Sequence, residues 1–164
     1  MKLESLKDLY LEQLKDLYSA ETQLVEALPK MAEAASSADL RKAFNDHLRQ
    51  TNEHVRRLEK IFQGLQEDPK GHTCEGMKGL IKEGDQMMKM RGESSVIDAG
   101  LIAAAQRVEH YEIAGYGTVR TYAELLGKDD HVTLLERTLQ DEEETDERLT
   151  ELAESHVNEE ALVR

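Results

Sequence analysis

The chain has 164 residues and a formal net charge of −13, from 21 lysine and arginine residues against 34 aspartate and glutamate residues. This length predicts about one domain, large enough to bury a core. The acidic balance argues against a nucleic-acid partner and against an anionic membrane surface, because both require basic patches. It favours a cation or a cationic partner.

No apolar run approaches the roughly 18 residues of a membrane-spanning helix. The N-terminal stretch MKLESLKDLY carries charges where a signal peptide needs an apolar segment. We therefore expect a soluble, cytoplasmic protein. The single cysteine, Cys74, has no partner for a disulfide and no neighbour at a zinc spacing, so we interpret it as an inert buried thiol.

Turn signals divide the chain into long segments of helical character. The first runs from residue 3 to about residue 34 and is rich in Leu, Ala, Glu and Lys, with Pro29 as a predicted kink near its end. Ser36 followed by Asp39 predicts an N-cap box. This box begins a second helix, which ends between Gly64 and Pro69.

A glycine-interrupted segment follows between Pro69 and Ser94, and predicts a short helix or two in a long crossover. Ser95 followed by Asp98 repeats the N-cap signature before a third long helix. Gly127 ends that helix as a C-cap residue.

Asp129 or Asp130 caps a fourth long helix, which reaches at least Ala153. No segment shows the alternating pattern of a strand. Four long helices with one long connection in the middle predict an all-α, ferritin-like up-down four-helix bundle. The predicted crossover, with its short extra helix, lies between helices 2 and 3, and residues 1–164 form a single domain.

The core-facing stripes of all four helices are interrupted by polar residues near mid-length. The interrupting residues are Glu21 in the first helix, His47, Thr51 and His54 in the second, Glu112 in the third, and Glu142 and Asp146 in the fourth. Gln50 and Glu109 lie beside these stripes. A buried carboxylate without a partner costs several kcal/mol, so four interruptions at one level predict a shared polar layer.

A pair of metal ions held by Glu and His from facing helices is an economical way to stabilise such a layer. Three pairs of candidate ligands share a helix face because their members are three or four residues apart: Glu109 with Glu112, Gln50 with His54, and Glu142 with Asp146.

Alternatives remain for the individual residues. Each stripe carboxylate has an ion pair with an arginine as its alternative, and Arg107, Arg120 and Arg137 lie on the same helices. His47 is interpreted as a hydrogen-bonded histidine, because it lies a full turn before the pair formed by Gln50 and His54. The other carboxylates of the run DEEETDE are interpreted as solvated, namely Asp141, Glu143, Glu144 and Glu147. Tyr18 and Tyr116 either pack in the core or donate to the ligands.

Several stretches resemble the bacterial YciF/YciE-type stress proteins, a ferritin-like family. They are LYSAETQL at 17–24, FNDHLRQTNEHVRRLE at 44–59, LIAAAQRVEHYEIAGYGT at 101–118 and TLQDEEETDERLTELA at 138–153. The similarity covers almost the whole chain. It implies an all-α bundle, a homodimer and a di-iron or other dinuclear site.

The ligand set that this resemblance implies, carried over position by position, is Glu21, Gln50, His54, Glu109, Glu112, Glu142 and Asp146. Two features depart from the pattern. The chain has no Glu-x-x-His spacing, which such bundles use on two helices, and related proteins carry Glu where this chain has Gln50. A neutral amide there lowers the negative charge that stabilises oxidised iron. We therefore expect iron, with manganese or zinc as alternatives, at most two ions per chain and no organic cofactor.

The leading hypothesis is a metal-binding stress protein that oxidises Fe(II) or reduces peroxide. The competing hypothesis is a non-catalytic dimeric helical protein, in which the core carboxylates are ion-paired or hydrogen-bonded without metal. An iron-storage shell is a third hypothesis, although nothing in the sequence specifies such an assembly.

Overall fold

The computed structural model describes residues 2–162, and α-helices account for most of this range. The four long helices are α1, Leu6–Ala34; α2, Ala38–Leu65; α4, Ser94–Leu125; and α5, Asp129–Leu152. The shorter helix α3, Glu75–Met88, lies between α2 and α4 in the chain, and a π-helical turn at Ala153–Val157 joins α5 to α6, Asn158–Leu162. The predicted all-α, ferritin-like bundle with a crossover helix is confirmed.

The four long helices form a ring in the order α1, α2, α5, α4, in which each helix packs against two neighbours. The crossover helix α3 packs against α1 and α4. It therefore covers the α1–α4 face and leaves the opposite face, between α2 and α5, without such a cover. No helix in the described range is both long and apolar enough to cross a membrane.

Two helix beginnings differ from the predicted N-cap boxes. The hydroxyl of Ser37, rather than Ser36, accepts the first-turn N–H of α2, from Leu40 at 3.3 Å. Asp98 lies inside α4, where its carboxylate accepts the backbone N–H groups of Ser36 and Ser37 at 2.9 and 2.7 Å. This carboxylate thus connects the first turns of α4 to the loop between α1 and α2.

At the link between α4 and α5, the prediction that Gly127 ends α4 is confirmed, whereas the prediction that Asp129 or Asp130 caps α5 is wrong. Gly127 has a positive φ of 65°, two residues after the last residue of α4, as expected for a glycine that ends a helix. Lys128 occupies the N-cap position of α5 without a side-chain bond, and Asp129 and Asp130 lie in the first turn. Carboxylates there favourably oppose the positive end of the helix dipole.

The core consists of two apolar clusters at opposite ends of the bundle. One includes Leu24, Leu28, Phe44, Leu101 and Leu149. The other includes Leu14, Leu17, Leu58, Val119 and Leu135. On every long helix, the polar residues fall between the members of these two clusters, so a polar layer crosses the middle of the bundle.

Candidate metal centre

Six side chains from all four long helices meet in this polar layer. Each of them is 2 % exposed or less: Glu21 on α1, His47 and His54 on α2, Glu109 and Glu112 on α4, and Glu142 on α5. Acidic side chains are rarely buried so completely without a partner of opposite charge. These six residues are called the cluster below.

The cluster divides into two groups of potential metal ligands. One group consists of His47, Glu109, Glu112 and Glu142, and the other of Glu21, His54 and Glu142. Within each group, one nitrogen or oxygen atom from every member lies within 4.8 Å of the others. Glu142 belongs to both groups, so its carboxylate would contribute to both sites if metal ions were bound.

His47 presents one ring nitrogen to the cluster and the other to a helix hydroxyl. Its Nε2 lies 3.0 Å from an oxygen of Glu109 and 3.7 Å from an oxygen of Glu142. Its Nδ1 lies 3.3 Å from the hydroxyl oxygen of Thr145 on α5. The outer contact orients the ring so that Nε2 faces the carboxylates.

His54 is held in the same way, with a stronger outer partner. Its Nδ1 lies 3.2 Å from Glu21 Oε1 and 3.0 Å from Glu142 Oε1. Its Nε2 lies 3.1 Å from Asp141 Oδ2, which also accepts a hydrogen bond from Arg57 at 2.7 Å. Metal-binding histidines commonly donate their second N–H to a carboxylate, which fixes the tautomer and the ring orientation.

Eight buried polar atoms of the cluster form no hydrogen bond of acceptable geometry within the described residues, although some of them lie at ion-pair distance from one another. They are Glu21 Oε2, His47 Nε2, His54 Nδ1, Glu109 Oε2, both carboxylate oxygens of Glu112 and both of Glu142. Buried polar atoms are nearly always paired, so a concentration of unpaired atoms at one place needs an explanation. The unpaired atoms are nitrogen and oxygen donors that face one another, and a metal cation would satisfy them.

No lysine or arginine in residues 2–162 forms an ion pair with the four cluster carboxylates, whose ion-pair partners there are His47 and His54. Arg120, one of the arginines considered from the sequence, pairs instead with Glu124 and Glu136 near the surface. The arginine alternative therefore does not account for the buried charges.

Burial raises the pKa of several cluster carboxyls. The pKa values of Glu109 and Glu142 rise to about 8, because the protein interior disfavours their charged forms. Burial also raises the pKa of Glu112 well above its ordinary value, and the neighbouring Glu142 adds to this effect. Although burial alone would lower it, the pKa of His54 lies well above its ordinary value because Glu21 and Glu142 favour the imidazolium form.

Tyr116 on α4 touches the cluster directly. It is fully buried and its hydroxyl donates a hydrogen bond to Glu21 Oε1. Burial first, and then the charge of Glu21, raises the pKa of Tyr116 well above its ordinary value, so the hydroxyl remains a donor. Tyr18 donates instead to Glu59, 3.2 Å away in an exposed contact, and has no such role in the cluster.

The family model described as a domain of unknown function, DUF892, matches residues 5–162. The chain belongs to this family. It is 42 % identical over 162 residues to the protein YciF of Escherichia coli K12, and the alignment covers 98 % of each chain. The predicted resemblance to YciF is therefore confirmed.

Solved structures show the same relationship for this DUF892 chain. The crystal structure of the E. coli stress protein YciF matches with a TM-score of 0.91 over 95 % of this chain and 99 % of that one. The YcfI protein of Rhodopseudomonas palustris matches at 41 % identity with a TM-score of 0.88, over 91 % and 95 % of the two chains. A Xanthomonas campestris protein with 18 % identity and a TM-score of 0.73 shares the fold.

Of the seven ligands predicted from the sequence, the structure brings five together: Glu21, His54, Glu109, Glu112 and Glu142. Gln50 and Asp146 lie outside the cluster. Gln50 is half-buried and its side-chain oxygen is 3.3 Å from the hydroxyl of Thr145. Asp146 is also half-buried, and its carboxylate lies 3.2 Å from both Gln106 Nε2 and His110 Nε2 on α4.

Rotation around the helix combined with the contacts of each side chain accounts for both differences, since angle alone does not: Glu109 and Glu112 are about 60° apart around α4 and both face the cluster. A step of four residues turns a side chain about 40° around the helix axis, and a step of seven turns it only about 20°. Asp146 is four residues beyond Glu142 and turns towards α4, while Gln50 is four residues before His54 and turns towards α5. His47 is seven residues before His54, so it also faces the cluster, a position that its interpretation as a hydrogen-bonded histidine apart from the ligands did not include.

Asp141 is the second functional residue that the sequence interpretation missed. It was assigned to the solvated part of the acidic run, but it is half-buried and contacts His54. Hydrogen bonds from His54 and Arg57 outweigh the effect of burial and lower its pKa. Its partners lie on α2, more than 80 residues away along the chain. The local sequence around Asp141 therefore does not indicate these contacts.

Proposed function

We propose that this chain is a ferritin-like metal-binding protein whose cluster holds two ions, iron foremost, with manganese or zinc as alternatives. The observation that carries the proposal is the set of eight unpaired buried nitrogen and oxygen atoms at the centre of the bundle. Two divalent ions carry four positive charges, which would balance the four cluster carboxylates. Their binding would thus remove the cost of burying those charges.

The donor set supports a particular division of the ligands. His47, Glu109 and Glu112 would hold one ion, Glu21 and His54 would hold the other, and Glu142 would bridge them. Imidazole nitrogen and carboxylate oxygen suit iron, manganese and zinc, and the set contains no thiolate that would favour softer metals. Carboxylate-rich pairs of this kind occur in ferritin-like bundles.

The proposed reaction is oxidation of Fe(II) coupled to reduction of peroxide, in defence against stress: two Fe(II) ions release two electrons, and one hydrogen peroxide molecule with two protons accepts them to give two water molecules. Iron, when bound, supplies or accepts the single electrons that such chemistry needs. The chain itself contributes a dry site, because the two apolar clusters close the layer on both sides. Tyr116 holds the carboxylate of Glu21, and Asp141 holds the ring of His54. The stress role is inferred from the relative, since the E. coli protein YciF is described as a stress protein.

The experiment is elemental analysis of untagged protein purified without chelator, followed by titration of chelated protein with Fe(II), Mn(II) and Zn(II). We expect up to two ions per chain, and peroxide consumption by the iron-loaded protein above that of free iron. Metal content well below one ion per chain, with no uptake in the titrations, would contradict the proposal.

One observation favours a second candidate, a non-catalytic helical stress protein that needs no metal. The pKa values of Glu109 and Glu142 near 8 mean that these carboxyls hold protons at neutral pH, so the layer has less charge to neutralise. This candidate predicts an unchanged melting temperature on chelation. The metal-binding proposal predicts a lower one.

A further inference from the structure

A polar groove of about 620 Å³ lies between α2 and α5, on the face that α3 does not cover. The groove is lined by four carboxylates and three arginines. The carboxylates are Asp46, Glu53, Asp141 and Glu144, and the arginines are Arg49, Arg57 and Arg148. Ala43, Gln50 and Thr145 complete the lining. Three of these carboxylates form ion pairs with arginines: Asp46 with Arg49 and Arg148, Asp141 with Arg57, and Glu53 with Arg56 and Arg57. The groove is therefore polar, with most of its charges paired.

A much smaller cavity, of about 10 Å³, lies inside the bundle and touches the cluster through His47 and Glu109. Its volume is close to that of one water-sized probe. Ala43 and Thr145 line both this cavity and the outer groove. The two spaces are thus separated by a wall that includes one methyl group and one threonine side chain.

Contacts of Thr145 connect the groove to a cluster histidine. Its hydroxyl oxygen lies 3.3 Å from Gln50 Oε1 and 3.3 Å from His47 Nδ1, and the hydroxyl donates to the backbone oxygen of Asp141 at 2.9 Å. Gln50 and Thr145 are both half-buried. A polar path therefore runs from the groove through one amide and one hydroxyl to His47.

Within the described residues, the opposite face of the bundle has no polar side chain that connects it to the cluster in this way. A cavity among α1, α3 and α4 shares Leu24, Met31 and Val108 with the small inner cavity, and both cavities are lined mainly by apolar side chains. None of the six cluster residues lines the cavity on the opposite face. A cation that entered there would therefore not contact the cluster.

We propose that the groove between α2 and α5 is the route by which divalent cations reach and leave the cluster. Ala43 and Thr145, which line both the groove and the inner cavity, form the entrance from the groove. The inference rests on the proposed function, since it concerns how the same site is filled. The net charge of −13 attracts cations to the protein as a whole, and the groove leads them to the polar side chains of Gln50 and Thr145. Rotation of the Thr145 and Gln50 side chains opens the wall while the four helices stay packed.

A matched pair of substitutions tests this route. Ala43→Leu adds three carbon atoms at the entrance. Ala104→Leu adds the same three atoms at an equally buried alanine, which lines the cavity on the opposite face. Uptake of Co(II) by chelated protein is followed by rapid mixing and the visible absorption of the bound ion. Its release is followed after addition of excess chelator.

We expect Ala43→Leu to slow both uptake and release by about tenfold or more, which corresponds to about 1.4 kcal/mol of added barrier. The final Co(II) stoichiometry should equal that of the wild type. Ala104→Leu should keep wild-type rates. Thr145→Ser, which keeps the hydroxyl and removes one methyl group, should accelerate uptake and supplies the test if Ala43→Leu does not fold.

The possible failures are distinguishable. Normal Co(II) stoichiometry with unchanged rates of uptake and release in Ala43→Leu and Thr145→Ser would overturn the route and leave the proposed metal site unaffected. Equal slowing by Ala43→Leu and Ala104→Leu would also overturn it, since the effect would then come from overpacking in general. Absence of Co(II) uptake by the wild type would overturn the proposed function together with the route.

Discussion

Glu142 contributes to both ligand groups, one through contact with His47 and the other through contact with His54. Its Oε2 lies 3.7 Å from His47 Nε2, and its Oε1 lies 3.0 Å from His54 Nδ1. Each carboxylate oxygen thus faces a different half of the cluster, and neither oxygen forms a hydrogen bond of acceptable geometry within the described chain. Removal of this one side chain should disturb both halves together.

We therefore predict that Glu142→Ala abolishes binding of both ions. The loss of affinity should exceed the roughly 10- to 100-fold cost of removing an outer partner of a metal ligand. Isothermal titration with Mn(II) measures it. Glu144→Ala is the control, because Glu144 is exposed and lies only two residues further along α5. Equal losses in both variants would show that the cluster is not the binding site.

The raised pKa values predict how the stability of the chelated protein depends on pH. Glu109 and Glu142 have pKa values near 8 in the folded chain, against an ordinary value of 4.5. Between these values the folded state holds protons that the unfolded state has released, so the free energy of unfolding falls as pH rises. His54 acts in the same direction, because its folded pKa is also raised.

Urea unfolding of chelated protein across this pH window measures the effect. Glu109→Gln cannot ionise at that position, so its free energy of unfolding should depend less steeply on pH than that of the wild type. A wild-type stability that rises throughout the window, or a variant with an identical slope, would contradict the assignment.

At the residue scale, the sequence predicted five of the six cluster members: four of them break an apolar stripe at mid-helix, and Glu109 lies beside such a stripe. It did not distinguish a residue that faces the cluster from one at the stripe's edge, since the two differ by only about 40° around the helix. Gln50 and Asp146 were therefore included, and His47 was assigned another role. The contact between Asp141 and His54 depends on how α2 packs against α5, which the local sequence does not encode.

Among the elements, the crossover helix α3 is anchored at its first turn. Cys74 caps this helix, since its sulfur accepts the N–H of Met77 at 3.4 Å, and it lies 3.0 Å from the hydroxyl of Tyr111. Tyr111 also donates to Asp16 at 2.7 Å. Burial raises the pKa of the Cys74 thiol, as expected for an unreactive side chain. The thiol therefore has a structural place in linking α1, α3 and α4.

Gly76 permits this close approach, and its substitution should weaken it. A Cβ atom at Gly76 would lie 2.7 Å from a ring carbon of Tyr111, whose hydroxyl is fixed by Asp16. We predict that Gly76→Ala destabilises the fold by about 1–3 kcal/mol, the usual cost of overpacking. Thermal unfolding followed by circular dichroism measures this cost.

Gly79→Ala in the same helix is the matched control, because a Cβ atom there meets nothing within 4 Å. It should stabilise the protein by about 0.5–1 kcal/mol, since alanine favours the helix more than glycine does. Similar melting temperatures for the two variants would mean that α3 does not dock against Tyr111 in this way.

The long helices and the crossover were predictable because capping residues, glycines and apolar periodicity are local signals. The residues that cap the individual helices were less predictable. Asp98 follows Ser95 at the spacing of an N-cap box, yet it binds the backbone of Ser36 and Ser37. In the sequence, a carboxylate that accepts backbone N–H groups of a distant loop cannot be distinguished from one that accepts N–H groups of its own helix.

At the scale of the whole molecule, a layer of buried carboxylates separates two apolar clusters, and this arrangement would couple stability to the proposed metal binding. Without a cation, the layer must retain protons or bear uncompensated charge. With cations bound, the same layer joins all four long helices. The homodimer that the resemblance implies stays a prediction, because contacts between chains depend on surfaces that the helical periodicity does not specify.

We predict that metal loading raises the melting temperature. Free metal at about 100 times its dissociation constant should stabilise the fold by about 2.7 kcal/mol, which corresponds to about 5–10 °C for a chain of this size. Differential scanning calorimetry with and without chelator measures the shift. Glu142→Ala should show none, and an equal shift in that variant would place the stabilising ion elsewhere.

Anomalous diffraction from crystals of metal-loaded protein, recorded on both sides of the absorption edge of the bound metal, tests the central claim most directly. We predict two anomalous peaks inside the bundle, one among His47, Glu109 and Glu112 and one between Glu21 and His54, with Glu142 bridging them. Bound metal that gives peaks only at surface carboxylates, with none in contact with Glu142, would contradict the assignment of this cluster as a dinuclear metal centre.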